Sequence, residues 1–150
     1  MKNKNYQKFL LMLTVSYLIM YAVMFLNVYE FDHVYLSTTR FYMTLLMVSP
    51  MALVMLLMMR GMYEDKKLNL LIIATSILVF VGSLFFLRNQ TFIADEQYMQ
   101  AMIPHHSSAI LVSKEADIKD PELKKLAEGI IKSQEKEIAE MKAILERINE

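Results

Sequence analysis

The sequence has no cysteine among its 150 residues, and its 16 Lys and Arg are balanced by 16 Asp and Glu. Without cysteine, disulfides, thiolate zinc sites and thiol nucleophiles are excluded. Any site for a soft metal ion must therefore use methionine and histidine, which survive in an oxidising compartment where a free thiol would not. The balanced charge predicts no nucleic-acid partner, because a phosphate-binding face needs clustered basic residues.

Three long apolar runs occupy the chain before Arg88, and each approaches the ~20 residues that a helix needs to cross a bilayer. Their approximate bounds are residues 9–28, 41–59 and 68–87. A signal peptide is the alternative for the first run, but the run is too long, and Tyr29-Glu30 offers no small-residue cleavage site. We therefore predict that residues 1–88 form a three-helix transmembrane region whose partner is the lipid bilayer.

Lys and Arg are distributed unevenly over the segments that flank these runs. The N-terminal segment and the second loop each carry three, whereas the first loop carries only Arg40. The positive-inside rule then places the N-terminus and the second loop in the cytoplasm, and residues 89–150 outside it. We predict an integral protein of a bacterial cytoplasmic membrane with an extracytoplasmic C-terminal domain. The six basic residues are Lys2, Lys4, Lys8, Arg60, Lys66 and Lys67.

The first helix of this C-terminal domain is expected to begin near Asp95, which can cap its first turn. It should run to about Ala116. Pro104 lies inside it and removes one backbone hydrogen bond, so we expect a kink or a restart of the helix there.

A second helix is predicted from Pro121 to about Ile148, because Asp120 is a good N-cap and proline suits the first helical position. The short connection predicts an antiparallel hairpin. The fold class is therefore all-α: three transmembrane helices followed by an extracytoplasmic helical hairpin, residues 89–150.

Two methionines and two histidines lie close together in the first helix of the hairpin. At about 100° per residue, Met99, His105 and His106 all fall within about 60° of Met102, so the four side chains can share one face. Thioethers and imidazoles form a soft donor set that suits copper better than magnesium or calcium. The alternative is that the methionines fill a core and the histidines are hydrogen-bonded core residues.

The second helix of the hairpin has an apolar face centred on Gln134, an amide that needs a hydrogen-bond partner if it is buried. Folding the hairpin brings Gln134 and Glu137 towards Met102 and the two histidines. Glu137 could be a direct metal ligand, an acceptor that orients an imidazole, or an ordinary carboxylate at the border of the face. The apolar residues of the face are Leu123, Ala127, Ile130, Ile131, Ile138, Met141 and Leu145.

Two further features lie before the hairpin. Glu30, Asp32 and His33 in the first loop share the predicted compartment of the hairpin, either as bystanders or as an auxiliary ligand group. In the second apolar run five methionines recur every fourth residue, which indicates a row that winds around the helix. This row is either flexible packing surface or a track of thioethers for a soft ion. The methionines are Met43, Met47, Met51, Met55 and Met59.

The pattern in the hairpin resembles the DUF305 family. The first half of the resemblance is the Met-x-x-Met-Ile-Pro-His-His stretch that begins at Met99. The second half consists of Ala127, Ile130, Ile131, Gln134, Glu137, Ile138 and Met141. The resemblance covers about residues 95–148, and the three preceding apolar runs are similar to the membrane-anchored branch of the family.

This resemblance implies a ferritin-like helical bundle and, as in some members, copper binding. It also implies candidate ligands, which are Met99, Met102, His105, His106 and Met141. Many members carry two helical hairpins, whereas this chain has one.

Three classes of function follow from these patterns. The first is a membrane-anchored extracytoplasmic protein that binds copper, with Cu(I) preferred, and contributes to copper homeostasis. The second is a structural or assembly module whose hairpin mediates oligomerisation without metal. The third is a metal-dependent enzyme, which is not expected because no second acid–base residue, nucleophile or phosphate-binding loop accompanies the histidines. Since a hairpin of this size buries little apolar surface, we also expect a homodimer formed through the hairpin.

Overall fold

The computed structural model describes residues 2–150, and this part of the chain is helical and contains no β-strand. The predicted all-α class is therefore confirmed. Two compact units are present: one holds residues 2–23 and 39–91, and the other holds residues 24–38 and 92–150. The five α-helices are α1 (Lys2–Val23), α2 (Thr38–Met58), α3 (Lys66–Arg88), α4 (Asp95–Glu115) and α5 (Pro121–Asn149).

Helices α1, α2 and α3 are each long and apolar enough to cross a membrane, as the sequence predicts. The prediction was wrong about the end of α1, which stops at Val23 instead of continuing to about residue 28. Polar groups in the residues that follow Val23 bond to the hairpin. The Asn27 amide donates to the Ser108 hydroxyl, and the Tyr29 backbone N–H donates to the Ser107 hydroxyl.

A small aromatic core organises the first unit. Phe9 of α1 packs edge-on against Tyr63, which follows α2, and both rings are buried. The Tyr6 hydroxyl donates to Asn69 Oδ1 at 2.8 Å, at the start of α3. The outward surfaces of these helices are apolar and exposed, for example at Leu70. An apolar exterior around a small core is the surface that a lipid environment accommodates.

The methionine row of α2 winds around the helix as its spacing predicts. Met43 and Met47 are exposed, whereas Met55 and Met59 pack against the core of the first unit. Each step of four residues drifts by about 40°, so the row does not stay on one face. This arrangement favours packing surface over a continuous track of thioethers.

The two helices of the hairpin begin differently. Asp120 caps α5 as predicted, since its Oδ1 accepts from the Leu123 N–H at 2.8 Å. The predicted cap of α4 was wrong: Asp95 is its first helical residue, and Ala94 occupies the cap position without a side-chain bond. Asp95 still lies in the first turn, where a carboxylate complements the helix dipole. Helix α4 continues through Pro104, so there is no restart.

The core of the second unit lies between α4 and α5. It is formed by Met99, Ile103, Ile110, Ile138 and Leu145, and Tyr35, Ile131 and Met141 pack against it. The buried centre of α5 is rotated from Gln134 towards Ile138. As a result, the far edge of the predicted apolar face is open, with Leu123 and Ile130 exposed at 50% and 37%.

Residues 24–38, hereafter the docking loop, fold onto the hairpin, although the sequence groups them with the transmembrane region. Tyr35 reaches the hairpin core. Lys114 of α4 lies 4.1 Å from the centroid of the Tyr29 ring. Lys142 of α5 pairs with Asp32, with Nζ 2.5 Å from Oδ2. The loop therefore contacts both helices of the hairpin.

Candidate metal centre

The structure separates the four Met and His side chains that the sequence places on one face of α4. Met99 is buried in the hairpin core at 5% exposure, Met102 and His106 are half-buried, and His105 is exposed. The reason is the orientation of the helix. The buried side of α4 is the side that carries Ile103 and Ile110. At about 100° per residue, His105 points roughly 160° away from Ile103, whereas His106 points only about 60° away.

His106 and Glu137 meet where α4 and α5 face each other. Nδ1 of His106 lies 3.1 Å from Oε2 of Glu137. Despite this distance, Nδ1 is buried and makes no hydrogen bond within residues 2–150. The Ser133 hydroxyl donates to the other oxygen of Glu137 at 2.7 Å, which fixes the orientation of the carboxylate. The predicted approach of Glu137 to the histidines is thus present for His106.

The charge state of His106 follows from its surroundings. Burial lowers its pKa below the ordinary histidine value, the neighbouring Glu137 carboxylate opposes this shift, and His105 adds to it. The imidazole is therefore neutral at neutral pH, which is the form that coordinates a metal ion.

His105 is set apart from its neighbour. The two histidine rings are 6.2 Å apart between centroids and inclined at 69°. His105 faces solvent. It can therefore bind a metal ion held by His106 only if that ion lies on the outer side of the hairpin. Met141, by contrast, packs against the same core as Met99. The predicted ligands thus divide into three groups: the buried Met99 with the partly buried Met141 that packs against the same core, a border group, and the exposed His105. The border group consists of Met102, His106 and Glu137.

Gln134 is half-buried and lies outside the hairpin core. It borders an open groove along α5 together with Leu126, Ile130 and Ser133. The buried centre of α5 lies nearer Ile138. The Gln134 amide therefore needs no hydrogen-bond partner inside the core.

A second group of metal-ligating side chains lies in the docking loop. Nε2 of His33 is 3.7 Å from Oδ1 of Asp32 and 3.8 Å from Oε2 of Glu30. One ligand atom from each of the three residues lies within 4.8 Å of the others. The sequence signal for this group is a histidine with acidic residues one and three positions before it. Sequence reasoning named these residues but attached no geometry to them.

Ser107 is the residue that sequence reasoning missed. Its Oγ lies 2.9 Å from Nδ1 of His33 and accepts from the backbone N–H of Tyr29 at 2.7 Å. Ser107 is fully buried, so its hydroxyl anchors the docking loop and is closed to a substrate. The only sequence signal is that a serine follows the two histidines, which does not indicate a partner in a distant loop.

These features define a class: an all-helical chain in which three apolar helices accompany a hairpin that carries methionine, histidine and glutamate. The chain belongs to the DUF305 family, a domain of unknown function that matches residues 52–145, more than half of its length. The match begins within α2, well before residue 95, where the sequence resemblance begins. The chain is also 39% identical over 145 residues to the uncharacterized protein L153 of Acanthamoeba polyphaga mimivirus, covering 95% of this chain and 93% of that protein. No solved structure matches.

Proposed function

We propose that this protein is a membrane-anchored metal-binding protein whose C-terminal hairpin binds copper on the extracytoplasmic side. The observation that carries this proposal is the buried Nδ1 of His106, which faces Glu137 at 3.1 Å and makes no hydrogen bond to any residue that the structure describes. A buried polar atom normally has a partner. A metal ion placed between the two residues would supply one.

The distance supports shared coordination. Two ligands of one tetrahedral ion with bonds of about 2.1 Å lie roughly 3.4 Å apart, close to the separation of Nδ1 and Oε2. An imidazole nitrogen and a carboxylate oxygen suit Cu(II). Met102, one helical turn before His106, is half-buried and can add a thioether. Met99 and Met141 lie in the adjoining core, so a small movement of either side chain would extend the soft donor set towards Cu(I).

The membrane setting is part of the same proposal. The three apolar helices would anchor the hairpin, and the distribution of Lys and Arg favours a cytoplasmic N-terminus. Copper outside the cytoplasm meets few protein thiols, and a chain without cysteine is suited to that environment. Resemblance to the family's membrane-anchored branch, with its ferritin-like bundle, supports this assignment, and copper homeostasis is the role that the chemistry favours. No catalytic role is proposed.

A second copy of the chain would complete the bundle. The edge of α5 that bears Leu126 and Ile130 forms an open groove of about 500 Å³. Two hairpins related by a two-fold axis would cover these grooves and form a four-helix bundle. The homodimer would replace the second hairpin that many relatives carry internally.

One observation favours the alternative, a structural module without metal. Met99 is buried in the hairpin core and Met141 packs against it, and packing is the usual role of methionine. Met102 is the methionine that best distinguishes the two functions, because it is half-buried and is not among the residues of this core cluster.

The experiment compares Cu(I) binding by the full-length protein in detergent with that of Met102→Leu. Leucine keeps the apolar volume and removes the sulfur, so we expect about tenfold weaker Cu(I) binding with unchanged helix content. Met62→Leu, in the loop after α2, is the matched control and should bind like the parent. Parental affinity in Met102→Leu would mean that the methionines contribute only packing and that the site depends on the histidines. A folded parent protein that binds no copper would favour the structural module.

A further inference from the structure

The docking loop brings together side chains that have no role in the Met/His centre. Glu30 and His33 belong to the same turn, and Asp32 lies between them in a short 3-10 helix, Phe31–His33. The turn is closed by the His33 N–H, which donates to the Glu30 carbonyl at 3.1 Å. One carboxylate oxygen of each acidic residue lies near Nε2 of His33.

His33 is positioned by α4 rather than by the loop alone. Its side chain is only 8% exposed, and Nδ1 is engaged by the Ser107 hydroxyl at 2.9 Å. Nε2 lies within ion-pair distance of both carboxylates. A histidine that is anchored through one ring nitrogen and presents the other is the usual arrangement at a metal site.

The charges at this site are arranged to attract a cation. Lys142 binds Oδ2 of Asp32, and this hydrogen bond is the main cause that lowers the pKa of Asp32, so the carboxylate is ionised. Burial lowers the pKa of His33, as does the charge of Lys142, so the imidazole is neutral. Two carboxylates, one ammonium and a neutral imidazole carry a net charge of −1.

The separations allow an ion to enter with little rearrangement. Nε2 lies 3.7 and 3.8 Å from the two carboxylate oxygens, against roughly 3.4 Å between ligands of a tetrahedral ion with bonds of about 2.1 Å. A few tenths of an ångström in exposed acidic side chains close this difference. A cleft of about 220 Å³, which Glu30, His33 and Lys142 help to line, provides the path from solvent.

We propose that Glu30, Asp32 and His33 form a second cation site, distinct from the Met/His centre, that binds a divalent transition-metal ion of the Zn²⁺ type. Two carboxylates and one imidazole without a thioether favour a borderline divalent ion over Cu(I), and the imidazole disfavours Mg²⁺ and Ca²⁺. Water completes the coordination from the cleft. Since every ligand lies in the docking loop and its anchor lies on α4, the bound ion stabilises the packing of the loop on the hairpin.

The test measures Zn²⁺ binding by equilibrium dialysis of the full-length protein in detergent. All variants carry His105→Ala, His106→Ala and Glu137→Gln, so that only thioethers, which suit Cu(I) better than Zn²⁺, remain at the other centre. We expect one Zn²⁺ per chain in this background, a loss of at least tenfold in affinity in His33→Ala, and smaller losses in Glu30→Gln and Asp32→Asn. Asp117→Asn, an exposed acidic residue in the turn before α5, is the matched control and should leave the affinity unchanged.

Lys142→Met gives a result that a structural role alone would not produce. Removing the ammonium frees Oδ2 of Asp32 and lowers the positive charge beside the site, so Zn²⁺ affinity should rise severalfold. Circular dichroism confirms that each variant keeps its helices. Unchanged Zn²⁺ affinity in a folded His33→Ala variant, or no Zn²⁺ bound in the folded background protein, would overturn the proposal. Because the histidines and the glutamate of the Met/His centre are replaced throughout, neither result bears on copper binding there.

Discussion

Oγ of Ser107 lies 2.9 Å from Nδ1 of His33, and 74 positions of sequence separate the two residues. The same oxygen accepts the backbone N–H of Tyr29. One buried hydroxyl therefore holds two points of the docking loop against α4. This contact helps to hold residues 24–38 against the hairpin.

The Ser107 anchor can be tested by Ser107→Ala. The substitution leaves the Tyr29 N–H and the buried His33 ring without their partner, and such a loss costs about 1–3 kcal/mol of folding stability. We expect a clear fall in the thermal unfolding midpoint of the full-length protein in detergent. Ser108→Ala is the control, since Ser108 accepts only an exposed bond from Asn27. Equal falls in the unfolding midpoint for the two variants would show that the Ser107 hydroxyl stabilises the fold no more than the Ser108 hydroxyl does.

The hairpin core predicts a contrast between two isoleucines of α5. Ile138 is buried at 3% exposure, whereas Ile148 is exposed. Truncating a buried isoleucine to alanine costs about 2–5 kcal/mol, because transfer and cavity terms add. Ile138→Ala should therefore lower the unfolding midpoint strongly, and Ile148→Ala should change it little. Similar midpoints for both variants would place the core elsewhere.

Much of this fold could be predicted from the sequence, because its signals are local. The apolar runs predicted α2 and α3 to within a few residues, and Asp120-Pro121 predicted the start of α5. The end of α1 at Val23 could not be predicted, since the residues that follow it are mostly apolar and the bond between Tyr29 and Ser107 joins residues far apart in the sequence. Long-range hydrogen bonds leave no periodic pattern in a sequence.

The candidate site was predictable in part for a related reason. Helical periodicity placed His106 opposite Glu137, because both lie close to the buried line of their helices. It placed His105 on the same arc, although that residue is exposed. The four Met and His side chains of α4 span an arc of about 120°, which is wider than the face of α4 that α5 covers. Only the packing of the two helices shows where that face is centred.

Self-association can be tested at the groove on α5. An aspartate at Ile130 would place a charge in the proposed dimer contact, so Ile130→Asp should convert the dimer into a monomer. Ala143→Asp is the matched control, because Ala143 is exposed on the opposite face of the same helix. The mass of the protein within its detergent micelle, measured by light scattering, separates the two states. A monomeric parent protein, or a dimeric Ile130→Asp variant, would contradict a dimer formed through this groove.

The proposed topology can be tested without removing any native residue, since the chain has no cysteine. Single cysteines at Lys66, before α3, and at Lys119, between α4 and α5, should differ in their reaction with a membrane-impermeant thiol reagent on intact cells. We expect labelling at position 119 only, because three spans place it outside. Labelling at position 66 alone would reverse the orientation and remove the extracytoplasmic setting.

The central claim is that copper binds at the buried junction of His106 and Glu137, and the Cu(I) and Cu(II) affinities of two histidine variants test it most directly. His106→Ala removes the nitrogen that lacks a hydrogen bond, so competition with a chromogenic chelator should show at least tenfold weaker binding of both ions by the full-length protein. His105→Ala removes the exposed ring and should weaken binding less. Parental affinity in a folded His106→Ala variant would contradict the account, because the site would then not contain the residue on which it depends.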